Sequence, residues 1–117
     1  MNLHAFLERL DQSPDTVEFG DTIAVIDALY EFTPTSFKNG GLLNEAGKNS
    51  GSCRIFSFAL LHGLSQQQTL HCFGAYYREG VLKNQSGTDH QNIRNFMKTG
   101  WAGVAFDVAA LKPLPPQ

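Results

Sequence analysis

Cys53-Arg54-Ile55-Phe56-Ser57-Phe58-Ala59-Leu60-Leu61-His62 carries apolar residues at 55, 56, 58, 59, 60 and 61, which leaves almost no polar face on a helix. A helix that is apolar all round is enclosed by protein, so this stretch predicts a buried central helix over residues 53–62, ended by Gly63. Everything else in the chain then has to cover it. The expected fold class is mainly α, α+β at most: a compact single domain of about five helices around the central one.

The flanking sequence supplies the cover. Leu3, Phe6, Leu7 and Leu10 recur at helical spacing and predict an amphipathic helix over 3–11. Ser13-Pro14 joins an N-cap to a first-turn proline and restarts a helix, which Gly20-Asp21 is expected to interrupt. Ile23, Ile26, Leu29 and Tyr30 share a face, giving a helix over 22–32 that Thr33-Pro34 ends. Beyond the central helix, Ser65 and Gln68 have capping-box spacing, and Leu70, Phe73 and Tyr77 face the core, with Gly74 permitting close contact. Thr88 and Gln91 repeat the spacing and predict a last helix from near Asp89. It buries Ile93, Phe96 and Met97 and stops at Gly100, after which Trp101 folds back.

Between Pro34 and Ser52 the helical period lapses. Asn39-Gly40 has the chemistry of a tight hairpin turn, so residues 35–38 and 41–44 are expected to pair as a small β-hairpin. Glu45 to Ser52 reads as irregular, and Val104 to Asp107 as a short strand. Residues 1–112 are read as one domain. Residues 113–117, with Pro113, Pro115 and Pro116, are read as a flexible tail.

Composition bounds the function. The chain has 117 residues, of which 42% are hydrophobic and 17% charged, so it is expected to fold unaided around an aromatic-rich core. A net charge of −2 leaves no excess of Lys and Arg to neutralise phosphates, which argues against nucleic acid as a partner. No apolar run approaches the roughly 18 residues of a membrane span, and the N-terminus lacks an export signal, so neither a membrane nor export by that route is expected. Two cysteines in no scaffold spacing read as free thiols in a reducing cytoplasm.

Chemistry gathers at two places. Cys53 follows Ser50-Gly51-Ser52 at the start of the central helix, where free N–H groups and the helix dipole favour a thiolate. A thiol-dependent hydrolase or transferase would use Cys53 as nucleophile, His90 as base and Asp89 or Asn92 to orient it. The Cys53 N–H with Asn49 would form the oxyanion site. The bland reading makes Cys53 a packed core thiol and His90 a hydrogen-bonded structural residue. A binding module would instead use Asn44, Glu45, Asn49, Ser50, Ser52 and Arg54 from the loop. Tyr76, Arg78, Asn92 and Arg94 would add an aromatic and arginine patch of the kind that dominates interfaces. No His or Cys pair has metal-ligand spacing, and Gly41 with Gly47-Lys48 misses the phosphate-loop pattern by one residue, with Asn49 in place of Ser or Thr.

Longer blocks carry a resemblance. Thr33-Pro34-Thr35 with Phe37-Lys38-Asn39-Gly40, Asn44 through Cys53, Thr69-Leu70 with Cys72-Phe73-Gly74, Tyr76-Tyr77-Arg78, and Gly87 through Phe96 to Gly100-Trp101 together resemble the HopJ family. That family is named for type III secretion effectors of plant-pathogenic bacteria, and similar proteins occur widely in bacteria. The resemblance spans nearly the whole chain and implies a bacterial protein, with type III secretion implied by the family name alone. It brings no catalytic set and no cofactor. The expectation is a cytoplasmic, monomeric HopJ-like domain of unknown biochemical function, read as a small-ligand or protein-binding module using the Asn39–Arg54 loop and the Asp89-His90 turn, with the thiol enzyme as the alternative.

Overall fold

A computed structural model describes residues 2–115. The chain opens with α1 (Leu3–Gln12), whose first turn is capped by Asn2 accepting a bond from the Ala5 N–H at 2.8 Å. A 3-10 turn at Pro14–Thr16 leads into α2 (Phe19–Leu29). Gly20 does not interrupt that helix. It lies in the first turn, where the Asp21 carboxylate accepts from the Glu18 N–H at 3.2 Å and fixes the entry.

The helix expected over 22–32 ends at Leu29, because Tyr30–Phe32 leave it as strand β1. This strand pairs antiparallel with Leu111–Pro113, in register Tyr30↔Pro113 and Phe32↔Leu111. Order therefore continues through Pro113, and Pro116 and Gln117 lie outside the described residues. Strands β2 (Phe37–Asn39) and β3 (Leu42–Asn44) form the expected hairpin, but its turn is Gly40-Gly41, one residue later than the Asn39-Gly40 reading. The shift keeps Asn39 in the strand with its side chain inward. Strand β4 (Val104–Phe106) joins the other side of β2, giving the order β3-β2-β4, and the C-terminal strand of the β1 pair is β5.

The central helix, α3, runs Ser50–His62 and ends at Gly63 in the left-handed conformation. Ile55, Phe56, Phe58 and Ala59 are fully buried, whereas Leu60 and Leu61 are 50% and 55% exposed. The last turn thus emerges from the body. Phe56 is the hub of the core, with ring centroids 5.0 Å from Phe96, 5.6 Å from Phe73 and 5.9 Å from Phe37. The Ser65–Gln68 capping box starts α4 (Gln66–His71), and Gly74 then turns the chain into a π-helical segment, Tyr76–Val81.

The last helix, α5 (Gln91–Thr99), begins two residues later than the reading from Asp89, and no Thr88 side-chain cap forms. Instead the Gln91 amide donates to the Thr88 carbonyl. Met97, read as core, is 36% exposed. Trp101 does fold back: its indole meets Phe96 edge-on at 5.0 Å and donates to the Leu64 carbonyl at 3.0 Å. With 55% helix and 13% strand the fold is mainly α with some β, and no described helix is long and apolar enough to cross a membrane.

Candidate functional site

Two backbone positions mark the site. Asn49 and His90, with φ of 52° and 51°, are the only non-glycine residues of positive φ among the described residues. Each immediately precedes a helix, α3 and α5 respectively, that has no side-chain cap. The first-turn N–H groups of a helix have no intrahelical acceptor and carry part of the positive end of its dipole. Both helix starts open on one cleft of about 450 Å³. Gly51 and Ser52 line it from α3, and Gln91, Asn92 and Ile93 from α5.

An aromatic wall faces them. Phe19, from the first turn of α2, meets Tyr76 edge-on at 5.1 Å, and Tyr76 in turn lies 5.5 Å from the His90 ring. Tyr76 is 48% exposed and stands at the cleft. Gly51 allows this approach, since a Cβ there would stand 2.9 Å from Phe19 Cζ.

Beneath the cleft, three buried asparagines, Asn39, Asn44 and Asn92, with the exposed Asn49, tie the two helix starts to the hairpin. Asn92 Oδ1 accepts from Asn39 Nδ2 and Asn44 Nδ2, both at 3.0 Å, while Asn92 Nδ2 donates to Asn44 Oδ1 at 2.8 Å. Asn49 Nδ2 donates to the same Asn44 oxygen at 2.7 Å, and Asn39 Nδ2 also reaches the Asn92 carbonyl at 2.7 Å. The bonds link the hairpin to both helix starts, and one acceptor of the network, Asn39 Oδ1, is buried without a partner. Asp89 completes the polar side, its carboxyl held below the usual carboxylate range first by the hydrogen bond from Arg94 and then by His90 alongside.

The structure brings together Asn49, Ser52, Tyr76, Asp89, His90 and Asn92 at the cleft, with Asn44 one hydrogen bond beneath. Others lie elsewhere. Cys53 does not line the cleft: it is 1% exposed, its thiol donates to the Thr35 carbonyl at 3.4 Å, and burial pushes that thiol up. Its backbone N–H, the expected oxyanion donor, is taken by the Asn49 carbonyl at 3.0 Å. Arg54 pairs with Asp27 at 3.1 Å and covers the Phe32 ring at 4.0 Å. Arg78 donates to the carbonyls of Pro14 and Val17. Arg94 turns away from the cleft toward residues 85–89, Ser50 falls outside the lining, and Glu45 is exposed with its carbonyl accepting from Lys48.

Phe19 and Leu42 line the cleft without having been expected there, while Gly51, Thr88 and Gln91 were read as loop and helix-start residues rather than as site residues. Phe19 carried a usable signal, because an aromatic just after Glu18 with Asp21 two residues on is a helix start. Among the described residues no cluster of three or more His, Cys, Asp or Glu could hold a metal ion.

Residues 3–111 match the HopJ type III effector protein family. The chain belongs to that family. The crystal structure of VPA0580, a protein of unknown function, has the same fold as this HopJ chain, with a TM-score of 0.95. The two share 51% sequence identity, over 97% of this chain and 95% of that one. No curated protein matches the sequence.

Proposed function

We propose that this HopJ chain is a small-ligand binding module and that its site is the cleft between the starts of α3 and α5. The observation that carries the reading is the convergence of two uncapped helix starts on one cleft of about 450 Å³, opposite the Phe19–Tyr76 wall. Concave sites of a few hundred cubic ångströms with an apolar wall and a few fixed polar groups are where small ligands bind. Left-handed backbone at Asn49 and His90 supports it, since such conformations cost about 1–3 kcal/mol each and persist where the surroundings over-determine them. The ligand in this reading has acceptor oxygens facing the helix starts and a flat or apolar part against Tyr76. The protein works as a monomer in the cytoplasm, needs no cofactor and binds no nucleic acid, which the net charge of −2 favours.

The test is an amide-resolved NMR titration with inorganic phosphate, small carboxylates and aromatic metabolites. Shifts should cluster in residues 49–53 and 88–93 and saturate. Shifts that scatter over the surface, or that never appear with any probe, would remove the reading.

A further inference from the structure

Thr88, Asp89 and His90 line the cleft at the end of the segment 83–90, yet few bonds hold that segment to the body. Its backbone bonds to the preceding turn are local, Asn84 N–H to Val81 and Gly87 N–H to Asn84, and residues 82–86 are all exposed. Two side chains reach this segment from α5: exposed Gln91 and buried Arg94. Arg94, 8% exposed, directs its donors here. Nε bonds the Asp89 carbonyl at 2.5 Å, Nη2 bonds Asp89 Oδ1 at 2.8 Å, and Nη1 bonds the Gln85 carbonyl at 3.3 Å. Gly87 closes over the guanidinium so tightly that a Cβ there would stand 2.7 Å from Nη2. The segment is wrapped around one cation.

We infer that Arg94 is a positioning residue that clasps residues 85–89, thereby presenting Asp89 and His90 at the cleft, and that releasing the clasp frees the segment as a unit. That this governs a ligand rests on the cleft being the binding site; the clasp itself rests on the bonds above. The planar guanidinium serves two carbonyls and a carboxylate from one position, which a lysine ammonium does not reproduce. His90 reports the state of the clasp, because its ring lies against Tyr76 and beside Gly80, where a Cβ would stand 3.0 Å from Nε2. The groups facing the Asp89 carboxylate are the Arg94 guanidinium and the His90 ring.

The test compares Arg94→Lys, Arg94→Gln and Asp89→Asn by amide hydrogen exchange and by the ring-proton shifts of His90. Arg94→Gln should speed exchange at residues 85–90 by about 10-fold or more while leaving the α3 core amides within about 2-fold. Arg94→Lys should follow it rather than rescue it. Its His90 ring protons should move toward free-imidazole positions as they lose the Tyr76 ring current. Asp89→Asn keeps the carbonyl bonds and alters one exposed side chain, so a smaller rise confined to the same residues is expected. Unchanged exchange at 85–90, an equal rise in all amides, or His90 shifts that stay put would overturn the clasp. None of these readouts uses a ligand, so a phosphate or carboxylate titration that fails leaves the clasp standing, and the converse also holds.

Discussion

At position 53 two opposing effects meet. A thiol in the first turns of a helix gains from the dipole, and sequence alone shows that gain. Burial opposes it and is the largest influence on Cys53, raising the thiol despite Ser57 and Arg54 nearby. Cys72 is pushed up to about 12 by the same cause. Both thiols should therefore resist iodoacetamide at pH 8 in the folded protein and react within minutes in urea, read by mass spectrometry. Rapid native alkylation of Cys53 would show an accessible thiolate and restore the nucleophile. The arginines teach the same lesson. Arg54, Arg78 and Arg94 look available in sequence, yet Arg54 and Arg78 are held by acceptors from distant segments and Arg94 by the loop just before its own helix. Asn49, Asn92 and His90 stood out in sequence because they sit at helix starts, whereas their remote partners, Asn39 and Asn44 for Asn92 and Tyr76 for His90, did not.

Helices were legible as elements wherever they carried a period. Leu3 to Leu10, the apolar run from Ile55, and the Ser65–Gln68 box each became the expected helix. Strands β1 and β5 were missed because three residues hold no alternation, and Tyr30 fits a helical face as well as a strand. The bend after α4 was half read: Gly74 does permit close contact, but as a left-handed residue leaving the helix rather than as a gap within it. Its φ is 59°, and an added Cβ would stand 2.5 Å from the Phe19 N and 3.1 Å from the Glu18 backbone. Backbone cannot rotate aside, so Gly74→Ala must displace the start of α2 and with it the Phe19 wall. Adding the left-handed cost to overpacking predicts a loss of about 3 kcal/mol, or about 10 °C in Tm. Gly47→Ala is the control, since φ there is 88° but nothing lies within 4 Å of the added carbon. It should cost about 1 kcal/mol. Equal losses for the two variants in thermal unfolding would mean that contact with α2 contributes nothing.

Over the whole molecule, the buried central helix decided the class and the rest followed as cover, while the cleft depended on which remote starts that packing brought together. The same packing predicts a fold sensitive to acid. His62 accepts or donates at 2.8 Å to the Tyr30 hydroxyl and lies 4.5 Å from Phe58, and burial lowers its pKa. His71 packs edge-on to Tyr77, shares a bond with Gln67, and is faced by Asp15 at 4.0 Å and by Arg78. There too burial is the leading influence and the net shift is downward, Asp15 opposing it. A histidine with a depressed folded-state pKa binds its proton more readily in the unfolded chain, so the unfolded state gains as pH falls. Stability should be full above about pH 6.5, the ordinary histidine value, and decline as pH drops toward the depressed values. Urea unfolding at pH 7.5, 6.5, 5.5 and 5.0 should show the midpoint falling across that series. In the His62→Gln, His71→Gln double variant the fall should flatten, although that variant starts from a lower stability because Tyr30 and Gln67 lose partners. A wild-type midpoint that stays level from pH 7.5 to 5.0 would mean that neither ring is held neutral by the fold, and the packing of His62 between Tyr30 and Phe58 would then carry no penalty for charge.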